Sequence, residues 1–403
     1  MKILVSCYAC SPYKGSEPGM GWNFVRQIAK HHELHILVES KFQKDIEDYL
    51  MKYPEEQINK HFHFLTKSRH KLLRKIWPPS YYWFYRRWQR TAYEKAIELE
   101  ASEHFDLIHQ LNMVGYREPG YLWKLSLPMV WGPIGGFNIT PWKMLLSMGL
   151  KGSVFYFARN ILNIWQMRTS RRVRAAMRRA NALIAATQNE ADAIRELYNR
   201  ESVIIPEVGF FGEHDSFSPR ERHNALRICW CGQFTPGKSL NLLIEAAGYV
   251  TSNIELHIIG DGECAKKWKR MASKQSVKSI HWYGWVERSK GMSIMQNCDV
   301  FCITSLSDLT STVLLEALSY GLPVIALDHC GFSNVITDEC GVKIPINNKE
   351  QVVKDLAKAI DLLAADEDLR KKMSIEAFRR SRVFDWNEKR TQLDLIYSKV
   401  IES

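Results

Sequence analysis

Short β-branched runs alternate with helical stretches along this chain, in two successive series. That alternation constrains the fold more than any other feature. Parallel neighbours need a crossover helix, and a parallel sheet must be covered on both faces. Lys2 to Ser6 predicts a first strand, followed by a glycine loop and a helix from about Gly19 to Lys30. Leu34–Val38, Asp106–His109, Met129–Trp131, 183–186 and 203–205 are the next strands. Phe210 to Asn224, polar and broken by Pro219, is the predicted boundary. The second series runs through strands Leu226–Cys231, Ile254–Ile259, Ser279–Tyr283, Asp299–Ile303 and Pro323–Leu327, with helices at Ser239–Val250 and up to Tyr320. A length of 403 residues suits two such cores. The fold class expected is α/β, with two doubly wound, Rossmann-like domains facing across a cleft. Ligands in such sheets bind beyond the carboxyl ends of the strands.

Charge is unevenly placed. The net charge is +11, yet Pro119 to Asn189 contains no Asp or Glu and ten Lys or Arg. A second acid-free stretch, Lys67 to Arg90, interleaves eight basic residues with Trp77, Tyr81, Tyr82, Trp83, Phe84, Tyr85 and Trp88. The first half is therefore expected to meet an anionic or apolar surface. No apolar run approaches the roughly 18–20 residues of a membrane span. The N-terminus turns polar before a signal-peptide core forms, so a cytoplasmic protein, soluble or peripheral, is expected. Nine scattered cysteines do not form a disulfide framework. Cys7 and Cys10 form a CxxC and Cys229 and Cys231 sit two apart, but a zinc site would need a second closely spaced pair joined to the first, and the spacing gives that little support. No metal ligand set is expected.

Three loops carry candidate chemistry. Gly15-Ser-Glu-Pro-Gly19-Met-Gly21-Trp22 offers backbone N–H groups to an anion at a helix start, or is a structural turn. Its spacing is not the dinucleotide G-x-G-x-x-G, and no G-x-x-x-x-G-K-[ST] occurs. Gly232-Gln233-Phe-Thr-Pro-Gly-Lys238-Ser239 sets a lysine at a helix entry, where the helix dipole disfavours a cation. A bound diphosphate would remove that conflict; a solvated lysine is the plainer alternative. Thr304-Ser-Leu-Ser-Asp308-Leu-Thr310-Ser311-Thr312 leads hydroxyls into a helix that carries Glu316 among apolar neighbours. A carboxylate there needs a partner, and a ribose diol could supply it.

Asp308 and Glu316, followed by Ala317, Gly321, Pro323 and Val324, resemble the paired glutamates and Ala-x-x-x-Gly-x-Pro-Val segment of family 4 retaining glycosyltransferases. Gly232 and Lys238 match that family's Gly-Arg-x-x-x-x-Lys segment, with Gln233 at the arginine position. Phe384-Asp-Trp386 resembles its C-terminal segment. Glu17-Pro-Gly-Met-Gly-Trp22 and Trp131-Gly-Pro-Ile-Gly-Gly136 resemble a bacterial subgroup tied to surface polysaccharide synthesis. The resemblance covers nearly the whole chain and is most specific from Leu226 to Ile344.

It implies a GT-B fold. The acceptor-side domain would span 1–215, with a C-terminal helix at about 385–403 returning to it, and the nucleotide-sugar domain 216–384. It implies transfer of a hexose-type sugar, with retention and without a metal, from a UDP- or GDP-sugar to a saccharide or polyprenyl-diphosphate-linked acceptor. Lys238 would hold the diphosphate, Glu316 the ribose, and Asp308 the sugar. Gln233, Thr310, Ser311, Thr312, Gly19 and Gly21 would complete the donor site. His109 lies near the family's functional histidine, whose usual position is Leu111 here; His329 is a second loop candidate. No cofactor is implied. The basic aromatic stretches point to peripheral attachment at the inner face of the cytoplasmic membrane rather than to nucleic acid. An epimerase, a hydrolase or a non-catalytic nucleotide-sugar-binding subunit would carry the same motifs.

Overall fold

A computed structural model describes residues 1–68, 80–211, 217, 223–275 and 279–402. Trp77, the basic residues between 69 and 79, and most of the expected boundary Phe210–Asn224 lie outside the described residues. The chain forms two compact units: Met1–Phe137 with Trp165–Glu207 and Trp386–Ser403, and Asn138–Ile164 with Val208–Asp385.

In unit 1 the described strands are β1 (Lys2–Cys7), β2 (Glu33–Glu39), β3 (Lys60–Leu65), β4 (Leu107–Asn112), β5 (Met129–Ile134), β6 (Ala182–Ala185) and β7 (Val203–Ile204). They pair in parallel in the order β3-β2-β1-β4-β5-β6-β7. The order reverses beside β1, the switch point where doubly wound sheets open a crevice. In unit 2, β8 (Leu226–Cys231), β9 (Ile254–Ile259), β10 (Ile280–Gly284), β11 (Val300–Ile303), β12 (Val324–Leu327) and β13 (Gly341–Ile344) pair in the order β10-β9-β8-β11-β12-β13. Its switch point lies between β8 and β11. Two doubly wound parallel sheets are what the alternating runs predicted.

Helix α1 spans Ser16–Ile28 rather than starting near Gly19. Gly19 and Gly21 are therefore helical. A Cβ on Gly21 would stand 2.2 Å from the Ala9 carbonyl, so that glycine lets the helix seat against the segment after β1. Ser80–Glu103 forms α3, after α2 (Gln43–Lys52). Three of its seven aromatic residues are core: Phe84, Tyr85 and Trp88 are buried, and Tyr8 meets Tyr85 and Trp88 edge-on at 4.7 and 4.9 Å. The expectation that this stretch faces a surface is corrected to that extent; Tyr82 and Trp83 remain exposed.

The helices that follow are α4 (Gly149–Thr169), α5 (Arg171–Arg179) and α6 (Gln188–Tyr198). Residues 138–164 group with unit 2, because Met144, Leu145 and Met148 are buried in one core with Trp230, Phe234 and Leu240. In unit 2 come α7 (Leu240–Ala247), α8 (Ala265–Lys274), α9 (Arg288–Gln296) and α10 (Thr312–Ser319). They are followed by α11 (Phe332–Val335), α12 (Lys349–Ala365) and α13 (Glu367–Ser381). Helix α14 (Trp386–Glu402) is part of unit 1, where Trp386 packs edge-on against Phe24 of α1 at 5.1 Å.

Candidate functional site

The loops after β8 and β11 meet at the switch point of unit 2, and backbone hydrogen bonds join them. Leu306 N–H donates to the Gly237 carbonyl (2.8 Å), and Thr304 Oγ1 donates to the Lys238 carbonyl (3.0 Å). Trp230 Nε1–H donates to Thr304 Oγ1 (3.1 Å), tying the strand to the loop. The loop after β8 is also tied to the end of β9: Phe234 N–H donates to Asp261 O at 2.8 Å. Gly260, at φ +128°, leaves no room for a Cβ, which would fall 1.9 Å from the Gly232 carbonyl.

This scaffold brings Lys238 and Asp308 together. The Lys238 ammonium donates to Asp308 Oδ2, both side chains being about one-quarter exposed or less. Asp308 Oδ1 also accepts from the Leu309 N–H at 3.1 Å. Thr310 is buried, and Ser311 precedes α10 with φ +74°, a left-handed conformation favoured by glycine. Thr312 opens α10, whose N-terminal N–H groups favour an anion. Gln233 is exposed on the neighbouring loop.

Glu316 is buried as expected, at 6 % exposure, but its partner is a protein side chain. Arg288, at the start of α9, donates from Nε at 3.1 Å and from Nη2 to the same Glu316 oxygen. Burial, with Glu316 close by, pushes the Cys231 thiol up to about 12; the Lys238 charge opposes this, so the group stays a protonated thiol.

Two cations escaped the sequence reading. Arg288 lies 28 residues from Glu316, on another helix. Arg159 Nη1 donates to Ser307 Oγ at 2.6 Å, beside Asp308, and Tyr156 of the same helix lies against Gly237. Both come from the 138–164 segment, which the sequence placed with the first half.

His109, expected near the reacting groups, lies in unit 1 with both ring nitrogens occupied. It is wholly buried on β4 in unit 1. The Gly132 carbonyl can only accept, so Nε2 carries the proton and donates to it at 2.8 Å; Nδ1 then accepts from the Tyr397 hydroxyl at 2.7 Å. Burial lowers its pKa to about 4, leaving a neutral imidazole with both nitrogens occupied. Gly19 and Gly21, set inside α1, likewise form no open loop. In that region Glu17 accepts from the Val114 N–H at 2.7 Å, and burial pushes its carboxyl up. His329 is half-buried near Leu306; its Nε2 has no hydrogen-bond partner among the described residues.

The arrangement suits a ligand that is anionic at one end and hydroxyl-bearing at the other. A diphosphate offers Lys238 more charge than the single Asp308 carboxylate does, and a diol can share Glu316 with Arg288.

Residues 213–380 match the sequence family described as Glycosyl transferases group 1. The phosphatidyl-myo-inositol mannosyltransferase of Mycobacterium leprae is 27% identical over 173 residues, which is 42% of this chain and 45% of that one. The chain spans about half the length of the curated relatives it matches. Among solved structures, Anabaena HepE in complex with UDP and glucose aligns with a TM-score of 0.65 at 16% identity, covering 99% of this chain and 100% of that one. The lipopolysaccharide outer core galactosyltransferase WaaB, in its apo form, aligns at 0.67 and 16% identity with the same coverage. The two units thus have the GT-B fold, and the likeness to the glycosyl transferases group 1 family is confined to residues 213–380.

Proposed function

We propose that this protein transfers a hexose-type sugar from a UDP- or GDP-sugar to a hydroxyl of a saccharide acceptor, with retained anomeric configuration. The observation that carries the reading is the joined pair of loops at the unit 2 switch point, where Lys238 pairs with Asp308 shortly before α10, the helix that carries Glu316. Lys238 and the helix N-terminus would hold the diphosphate, exchanging the Asp308 carboxylate for phosphate oxygens. Asp308, released, would accept from sugar hydroxyls, and Glu316 would hold the ribose diol with Arg288 alongside. Arg159 would add positive charge where Gln233 has none. As the glycosidic bond breaks, charge develops on the leaving phosphate, and oriented cations and N–H donors stabilise it. The same phosphate oxygen can take the acceptor proton on the face where the new bond forms. This chemistry uses the chain's own cations in place of a metal.

A screen of UDP- and GDP-hexoses, with product analysis, tests the assignment. Glu316→Ala and Lys238→Ala are expected to lower kcat/KM by at least tenfold each. Undiminished transfer by both sinks the site, and donor consumption independent of any acceptor would make the protein a hydrolase or epimerase.

A lipid-linked acceptor at the inner face of the cytoplasmic membrane, in surface polysaccharide synthesis, completes the reading. No helix among the described residues is long and apolar enough to cross a membrane. Support comes from α4 instead. Leu150, Val154, Phe157, Ile161 and Trp165 recur at helical spacing and are all more than half exposed, with Leu146 just before them. Lys143, Lys151 and Arg168 flank that stripe in a stretch without acids. An apolar helix face bordered by cations suits an anionic bilayer interface. Arg86 and Arg172 are set aside from this role, because both pair with the buried Glu118 at 2.7 and 3.1 Å. Flotation with anionic vesicles should fall severalfold in a Leu150→Gln, Phe157→Gln variant; unchanged flotation refutes the attachment.

A further inference from the structure

The amino ends of the two sheets carry the same side chains in the same places. On the strand next to the switch, Glu33-Leu34-His35 of β2 matches Glu255-Leu256-His257 of β9. On the edge strand, His61-Phe62-His63 of β3 matches His281-Trp282-Tyr283 of β10. The registers agree as well: His35 pairs with His61, and His257 with His281. A basic residue on the first strand of each unit completes the likeness, Lys2 beside Glu33 and Arg227 beside Glu255.

Each set gathers two imidazoles and a carboxylate whose donor atoms lie within 4.8 Å of one another. In unit 1, Glu33 Oε1 stands 3.6 Å from His35 Nε2 and 3.4 Å from His61 Nε2. In unit 2, Glu255 Oε2 stands 3.5 Å from His257 Nε2. A tetrahedral zinc ion with bonds of about 2.0–2.1 Å holds its ligand atoms about 3.3 Å apart, so small side-chain movements would close both sets.

The inner histidines are oriented for this. His35 Nδ1 is taken by His63 Nε2 at 3.2 Å, and His257 Nδ1 by the Tyr283 hydroxyl at 2.8 Å. That leaves Nε2 of each aimed at the glutamate, buried, and without a hydrogen-bond partner among the described residues. His35 is only 5 % exposed, so this nitrogen faces the Glu33 and Glu103 carboxylates rather than water. A neighbouring group that fixes one ring nitrogen and turns the other towards the metal is how metal-ligating histidines are set.

We infer that each unit binds a divalent transition-metal ion, Zn²⁺ by the chemistry of its donors, through Glu33, His35 and His61 in unit 1 and Glu255, His257 and His281 in unit 2. Two imidazoles and one carboxylate select zinc over magnesium or calcium, which prefer all-oxygen sets. Glu103, whose Oε2 is 3.8 Å from His35 Nε2, can supply a fourth ligand in unit 1. Its present partner is Lys2, at 2.9 Å, which metal binding would release to solvent. In unit 2, Arg227 Nε lies 3.4 Å from Glu255, and His281 Nε2 must leave Ser279 Oγ at 3.1 Å. Either ion would pin an edge strand to its neighbour.

The test is Zn²⁺ titration of the full chain after chelator treatment, with bound metal counted after dialysis. Two ions per chain are expected, one each in His61→Ala and His281→Ala, and none in the double variant. Both imidazoles are exposed, so these substitutions spare the cores. Co²⁺ in place of zinc should give the intense visible bands of a tetrahedral site. Lys2→Gln should tighten the unit 1 site severalfold and leave the other unchanged. Failure to bind at micromolar zinc, or undiminished binding in the double variant through cysteines elsewhere, overturns the inference.

Discussion

His109 offers the sharpest test of how this chain is built, because a structural and a catalytic histidine predict opposite results. Its pKa falls from the usual 6.5 to about 4, chiefly because burial disfavours the imidazolium; the bond to the Gly132 carbonyl opposes that only in part. Above pH 6.5 the ring is neutral in both folded and unfolded chains, and its contribution to stability is complete. As pH falls from 6.5 towards 4 the unfolded chain takes up a proton that the native state refuses, so stability is lost. The loss works out at about 3 kcal/mol across that window. His109→Gln keeps an amide donor for Gly132 and removes the titration. At pH 7 it should cost about 1–2 kcal/mol, since the Tyr397 hydroxyl loses its acceptor. Urea unfolding at pH 7, 5.5 and 4.5 should therefore show the two proteins converging and then exchanging rank. Other histidines lowered by burial, such as His63, titrate in both proteins and cancel in the difference. Parallel pH profiles would refute the reasoning. So would a tenfold fall in sugar transfer per folded molecule, which would put His109 among the reacting groups.

Three further outcomes follow from the geometry. Arg288→Ala leaves the Glu316 carboxylate buried without its guanidinium; because Arg288 is 78% exposed, the cost is discounted to about 1–2 kcal/mol, and Glu316→Gln in the same background should recover most of it in a thermal melt. Ser311 at φ +74° should tolerate glycine with no loss of stability, whereas Ser311→Val should lower it by about 1–2 kcal/mol, read by the same melts. Lys389 is buried with its ammonium on the Pro206 carbonyl at 2.6 Å, and burial lowers its pKa to about 7 despite Glu207; the native state sheds this proton before the unfolded chain does, so the stability of wild type relative to Lys389→Met should rise between about pH 7 and 10.5 in urea titrations, the buried thiols and phenols titrating in both and cancelling.

The sheets were legible because strand runs and crossover helices are local patterns. Lys238, Asp308 and Glu316 were legible through motif spacing, and the structure brings Lys238 and Asp308 into contact. What escaped depends on tertiary placement. Arg288 reaches Glu316 from a separate helix, and Arg159 reaches Ser307 from a segment whose apolar residues Met144, Leu145 and Met148 assign it to the other core. The run from Tyr81 to Trp88 carries aromatics on all sides of a helix, so composition suggested a surface where packing against Tyr8 made a core. The Glu-Leu-His repeat was visible in the sequence, but each histidine's partner lies 24 or 26 residues away on the edge strand, and only register unites them.

Strand polarity explains why one fold can keep these features apart. In a parallel sheet every strand starts at one edge and ends at the other, so residues at equivalent strand positions gather even when far apart in sequence. Lys2, Glu33, His35 and His61 stand at or near their strands' beginnings, as do Arg227, Glu255, His257 and His281. Lys238 and Asp308 follow their strands' ends. Four to five residues of strand between the two edges amount to roughly 13–16 Å. That exceeds the Debye length of about 8 Å at physiological ionic strength, so solvent-exposed charge at one edge is largely screened at the other. A cation bound at the amino edge would therefore leave Lys238 and Asp308 at the carboxyl edge unaltered. Duplication of the Glu-Leu-His pattern at the amino edge of both sheets fits that division.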